Sequence, residues 1–260
     1  MKVKANGIAI NYRIDGFEHA PWLVFSNSLA TSLAMWDEQA ALADSFRVLR
    51  YDQRGHGGSD APAGRYPFDT LLDDALALMD ALGINKAYFA GLSMGGATAL
   101  GLAERHPDRF ERIVVADSPC QSTPQLSQQW EERIAVAQKE GIEALVEPTI
   151  ARWFPTETVA SNPPHLDRIR AMIRATPVNG FVGCAAALAA HDYASAVASV
   201  KCPTLFIVGE KDGATPKAMA KLHEKLPGSR FVALPAAGHI SNMDRPAEFS
   251  RALREFLNAG

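Results

Sequence analysis

The sequence predicts an α/β fold: a mostly parallel sheet with helices on both faces and a helical insertion past its middle. Three observations carry this. Short apolar runs suited to buried strands alternate with stretches of helical periodicity along most of the chain. Such alternation implies strands joined by crossover helices, and therefore a parallel sheet covered on both sides. Between Asp117 and Val200 the alternation stops and only helical patterns remain.

Taken in order, residues 1–7 are polar and turn-like, and residues 8–14 alternate apolar and polar as a strand that ends at Asp15-Gly16. Residues 22–25 form a short apolar strand, 36–42 a short helix and 46–51 a further strand. Residues 68–82 place Leu71, Leu72, Ala75, Leu76, Leu78, Met79 and Leu82 at helical spacing, and Gly83 stops the helix. Strands follow at 87–90 and 113–116, separated by a helix packed with small residues at 96–103. Residues 125–141, 142–154, 166–176 and 181–190 are all helical in pattern, punctuated by Pro155, Pro163, Pro164 and Pro177. The alternation then resumes with strands at 204–208 and 230–234 and helices at 217–226 and 246–257. This divides the chain into a core, residues 1–118 and 201–260, and a helical cap, residues 119–200. Open α/β sheets bind ligands at the carboxyl ends of their strands, so a cap inserted there roofs the site.

Composition narrows the function classes. A chain of 260 residues, 47% hydrophobic and 21% charged, can bury one large core. A net charge of −3 gives no electrostatic case for nucleic acid or an anionic membrane surface. No apolar stretch approaches the roughly 18 residues of a membrane span, and the polar opening is unlike a secretory signal. The three cysteines, Cys120, Cys184 and Cys202, are odd in number and widely spaced, as expected of reduced thiols in a cytoplasmic protein. None of this excludes assembly into a homo-oligomer.

The chemistry centres on Gly91-Leu92-Ser93-Met94-Gly95. A serine on a sharp strand-to-helix turn, with glycine two before and two after, is a nucleophile-elbow pattern. The turn puts Ser93 at a helix N-terminus, where unpaired N–H groups favour a developing oxyanion. A serine hydroxyl needs a base, and the base needs an acid to hold it. Downstream, His239 in Gly238-His239-Ile240-Ser241-Asn242 follows the last strand, and Gly238 lets the chain turn back over the sheet. His191 is the weaker candidate. Asp212, in Val208-Gly209-Glu210-Lys211-Asp212-Gly213, lies in a turn after a strand and supplies the acid. Glu210 and Asp117 are its rivals. The oxyanion hole is assigned to the N–H of Met94 and to that of Leu29, in the loop after the strand at 22–25. The loop Asp52-Gln53-Arg54-Gly55-His56-Gly57-Gly58-Ser59 fits no phosphate fingerprint and reads as a structural turn tied by Asp52 and Arg54. No histidine–carboxylate cluster has metal-ligand spacing, so neither a metal nor a cofactor is expected.

With these residues placed, the sequence resembles the α/β-hydrolase superfamily along its whole length. The match rests on Gly91-Leu92-Ser93-Met94-Gly95-Gly96, Asp52-Gln53-Arg54-Gly55-His56-Gly57, Gly209-Glu210-Lys211-Asp212 and Gly238-His239. That resemblance implies an eight-stranded sheet. More narrowly the chain is similar to the 3-oxoadipate enol-lactonases of the β-ketoadipate pathway of aromatic catabolism. They too carry Asn-Ser, here Asn27-Ser28, where most relatives have His-Gly. Gly238-His239-Ile240-Ser241-Asn242-Met243, Arg152-Trp153-Phe154 and Gly180-Phe181-Val182-Gly183-Cys184-Ala185-Ala186 also resemble theirs. Ala30 stands where they often have glycine.

The resemblance implies a small lactone substrate bearing a carboxylate, with Arg133 and Arg152 as candidate cations, Trp153 as a packing surface for the ring, and Asn27 at the site. A broad carboxylesterase, a carbon–carbon bond hydrolase and a non-catalytic receptor for a small ligand are the rival readings. A dehalogenase or epoxide hydrolase needs a carboxylate where this chain has Ser93.

Overall fold

The computed structural model describes residues 1–259. Eight strands form one sheet: β1 (Lys2–Ala5), β2 (Ile8–Asp15), β3 (Trp22–Ser26), β4 (Arg47–Tyr51), β5 (Ala87–Leu92), β6 (Phe110–Ala116), β7 (Thr204–Gly209) and β8 (Arg230–Leu234), in the order β1-β2-β4-β3-β5-β6-β7-β8. Pairing is antiparallel from β1 to β2 and from β2 to β4, and parallel from there on. The central strands β5, β6 and β7 are covered on both faces, which is why they read as continuous apolar runs. The edge strand β1 corrects the turn expected at residues 1–7. Its polar lysines hid it, because only one face of an edge strand meets the core.

Helices α1 (Phe68–Ala81), α2 (Met94–Arg105), α8 (Thr215–Lys225), α9 (Ser241–Asp244) and α10 (Pro246–Leu257) pack on the sheet. Between β6 and β7 lie α3 (Pro124–Glu140), α4 (Val146–Trp153), α5 (Thr156–Ser161), α6 (Pro164–Ala175) and α7 (Val178–Ala190). The six-residue α5 goes beyond the four helices that periodicity marks in this stretch; it exposes both faces and so has no apolar stripe to reveal it. The single helix expected at 36–42 is instead two 3-10 turns, Leu33–Trp36 and Glu38–Asp44.

The inserted helices are bound closely to the core. Backbone meets backbone where Gly180 of α7 faces Gly55: a Cβ on Gly180 would lie 2.0 Å from the Gly55 carbonyl oxygen. Tyr66 N–H donates to the Gly183 carbonyl at 3.2 Å, and Cys184 Sγ donates to the Arg54 carbonyl at 3.4 Å. Arg168 of α6 reaches Asp37 and Glu38, both at 3.2 Å. Among the described residues no single helix is long and apolar enough to cross a membrane.

Candidate active site

Ser93 sits at the end of β5 with φ +56° and ψ −111°, a backbone conformation that costs a non-glycine residue about 1–3 kcal/mol. The surroundings enforce it. Ser93 N–H donates to the Ala116 carbonyl at 2.8 Å, and Gly95 N–H to the Asn27 carbonyl at 2.9 Å. A Cβ on Gly91 would fall 1.9 Å from the Gly95 oxygen, and one on Gly95 would fall 2.1 Å from the Ser26 oxygen. Both elbow glycines are therefore required by close backbone approach. The turn leaves the Ser93 side chain at the carboxyl edge of the sheet, at the start of α2.

The base and acid converge on it. Ser93 Oγ–H donates to His239 Nε2 at 2.9 Å, and His239 Nδ1–H donates to Asp212 Oδ2 at 2.8 Å. This is the tautomer a general base needs, with the Nε2 lone pair aimed at the hydroxyl. Asp212 is nearly buried in the turn after β7, where its own N–H closes on the Gly209 carbonyl. Asp117, the rival acid, takes no part in this relay. It is 0% exposed, accepts from Gly209 N–H at 2.8 Å and bonds Ser241 Oγ. Burial, and then the negative charge of Asp212, push its carboxyl well above the ordinary range. Of the two carboxylates, Asp212 is the one that bonds the imidazole.

Both assigned oxyanion donors border the site. Leu29 lines the pocket beside Ser93, and Met94 follows the nucleophile at the first position of α2. Among the described residues neither N–H donates to a protein acceptor, so both are available to an oxyanion. The loop that carries Leu29 is braced from below. Ala30 N–H donates to His56 Nε2 at 2.8 Å, and His56 Nδ1–H to the Arg54 carbonyl at 2.9 Å. Complete burial lowers the proton affinity of His56, which keeps Nε2 an acceptor. Gln53 donates to the Asn27 carbonyl at 3.0 Å. The structural turn at 52–59 thus has a second consequence: it shapes the oxyanion loop. Ala30 has φ +59°, a left-handed conformation that glycine adopts without cost.

A pocket of about 440 Å³ opens above Ser93, bordered by Ser93, His239, Leu29, Trp130, Arg152 and Trp153. Trp153 stacks on His239, ring centroids 5.9 Å apart and 27° from parallel. Two of the residues expected at the substrate lie elsewhere. Asn27 is fully buried: its Nδ2 donates to the Tyr51 carbonyl at 2.9 Å and its Oδ1 accepts from Trp36 Nε1 at 3.0 Å. It shapes the loop and leaves the pocket wall to Ser28 and Leu29. Arg133 packs behind the wall, 4.6 Å from the Trp130 ring and 5.8 Å from Phe181, with Nη2 on Thr149 Oγ1 at 2.9 Å. Burial first, then the nearby Arg152, lowers its pKa to about 9. Arg152 does reach the pocket, 5.3 Å from the same indole. Neither arginine pairs with a carboxylate among the described residues.

Sequence reading missed Trp130, which lines the pocket; His191, the weaker candidate for the base, lines it too and takes no part in the relay. A tryptophan at helical spacing looks like core, and nothing local marks the face it turns to. His191 donates Nδ1–H to the Leu188 carbonyl at 2.8 Å and stacks on Phe68, and burial lowers its proton affinity.

Residues 21–246 match the family profile described as the alpha/beta hydrolase fold. The chain belongs to the α/β-hydrolase fold family. As an α/β hydrolase it is 34% identical over 255 residues to 3-oxoadipate enol-lactonase 2 of Acinetobacter baylyi, covering 97% of this chain and 94% of the relative. The crystal structure of the enol-lactonase from Burkholderia xenovorans LB400 superposes with a TM-score of 0.95 at 40% identity, covering 100% of both chains. A RutD protein of Pseudomonas savastanoi pv. phaseolicola, provisionally named a carbamate hydrolase, is 31% identical over 246 residues, 92% of this chain and 95% of that one. These relationships support a lactone hydrolase of this fold.

Proposed function

We propose that this α/β hydrolase opens 3-oxoadipate enol-lactone to 3-oxoadipate in the β-ketoadipate pathway of the cytoplasm. The observation that carries the reading is the Ser93–His239–Asp212 relay facing a wall where Arg152 forms no ion pair among the described residues. A lactone with a free carboxylate offers it a partner, and a charge-assisted bond to guanidinium orients the ring over Ser93. The likeness to enol-lactonases named in two organisms supports the choice of ring.

Ser93 Oγ attacks the lactone carbonyl while His239 Nε2 takes its proton. The oxyanion is met by the N–H groups of Leu29 and Met94. The ring C–O bond breaks, the enol oxygen leaves and the imidazolium returns the proton to it. Asp212 stabilises that imidazolium without accepting its proton. Water then gives a proton to His239, attacks the acyl carbon and releases the acid, and Ser93 regains its hydrogen.

The test is the ultraviolet loss of enol-lactone, with Ser93→Ala alongside. Native protein should consume the lactone in preference to aryl esters and to simple carbamates, and Ser93→Ala should not. Faster turnover of an aryl ester or a carbamate would remove the lactone assignment and leave the hydrolase. Absence of labelling by a fluorophosphonate probe would remove both.

A further inference from the structure

His239 acts as a base only while its ring spans Ser93 and Asp212, yet it sits in the irregular segment between β8 and α9. What fixes that segment is a pair of acceptors for two successive backbone N–H groups. His239 N–H donates to the Trp153 carbonyl at 2.6 Å, and Gly238 N–H donates to Asp244 Oδ2 at 2.8 Å. Asp244 closes the single turn of α9 and directly precedes Arg245, the N-cap of α10. Its own N–H donates to the Ile240 carbonyl at 3.0 Å, so backbone and side chain close the same turn around His239.

The carboxylate is buried and outside the pocket wall. Its second oxygen, Oδ1, faces His165 Nε2 of α6 at 3.8 Å, and the charged groups around that imidazole are Arg168 and Arg245. Among the described residues no other side chain takes the Gly238 N–H, and the acceptor on His239 is a backbone carbonyl that substitution cannot remove.

We propose that Asp244 is a positioning residue for the catalytic base: by holding Gly238 N–H its carboxylate aims His239 at Ser93. Replacing it without an acceptor frees the turn and lets the imidazole swing away from Ser93 Oγ. An amide keeps an acceptor for Gly238 and removes only the charge.

The rate of fluorophosphonate labelling reads the Ser93–His239 pair whatever ester the protein hydrolyses, so this test is independent of the lactone assignment. Asp244→Ala should label about 10–100-fold more slowly than native, in line with a displaced general base. Asp244→Asn should keep at least about a third of the native plateau rate, because an acceptor for Gly238 N–H remains. Labelling of Asp244→Ala at the native rate overturns the proposal. So does an Asp244→Asn plateau that falls as far as the alanine variant's. If Asp244→Ala does not fold, Asp244→Asn decides alone: a plateau of at least about a third of native supports the role, and a plateau that falls more than about tenfold overturns it.

Discussion

Asp212 and Asp117 lie in the same buried neighbourhood, and their amide variants should behave in opposite ways. Asp212 Oδ2 accepts Nδ1–H of His239 at 2.8 Å, which leaves Nε2 free to accept from Ser93. In Asp212→Asn the amide NH₂ can face Nδ1 and favour the other tautomer, whose Nε2 carries a hydrogen and cannot take the serine proton. That exchange costs about 10⁴ in rate, or roughly 5 kcal/mol in barrier. Asp117 is a different case. It is fully buried, its carboxyl is pushed upward by burial and by Asp212, and it bonds Gly209 and Ser241 in place of His239. Asparagine keeps an oxygen that accepts from Gly209 N–H and sets its NH₂ against Ser241 Oγ, which donates to Asp117 in the native protein. Asp117→Asn should lose less than about tenfold, the loss of at most one neutral hydrogen bond. Both variants are assayed by lactone turnover and by fluorophosphonate labelling rate at pH 7, with circular dichroism to establish folding. A folded Asp117→Asn protein that loses activity by orders of magnitude, beside an active Asp212→Asn, would refute the assignment.

Further outcomes follow from the same contacts. A carboxyl whose pKa is raised on folding binds more protons in the native state, so the native protein should lose stability as pH rises above about 4 through the Asp117 titration; thermal melts of Asp117→Asn should lack that fall. Arg152→Gln should raise KM for the carboxylate-bearing lactone about 10–100-fold, the worth of one charge-assisted bond, while a neutral aryl ester shows little change. Gly95→Ala should fail to label with fluorophosphonate even where it folds, because its Cβ would collide with the Ser26 carbonyl that abuts the elbow. Asp74→Ala should destabilise the fold by about 3–5 kcal/mol in urea titration, since it strands Arg54, bonded to Asp74 twice at 2.7 Å in a buried setting.

Much of the site was legible in the sequence because its signals are local. The elbow glycines, the strand preceding Ser93 and the turn residues beside Asp212 and His239 are properties of short segments, and their order along the chain identified the relay. Asn27 was misplaced for a physical reason. A polar side chain beside an oxyanion loop looks the same in sequence whether it faces a ligand or bonds to Tyr51 and Trp36. Arg133 and Arg152 lie on separate inserted helices and both approach the Trp130 ring, but only Arg152 lines the pocket. Edge strand β1 and helix α5 escaped because neither buries a face wide enough to leave a periodic pattern.

The sequence by itself determined the α/β alternation, the nucleophile and the order of its partners, since backbone periodicity and turn chemistry are written residue by residue. Only the tertiary structure decided which carboxylate meets His239, which arginine reaches the pocket, and that Asp244 takes the amide beside the base. Those outcomes depend on where side chains from β6, α4 and α9 point once the core has packed, and no local pattern carries that direction.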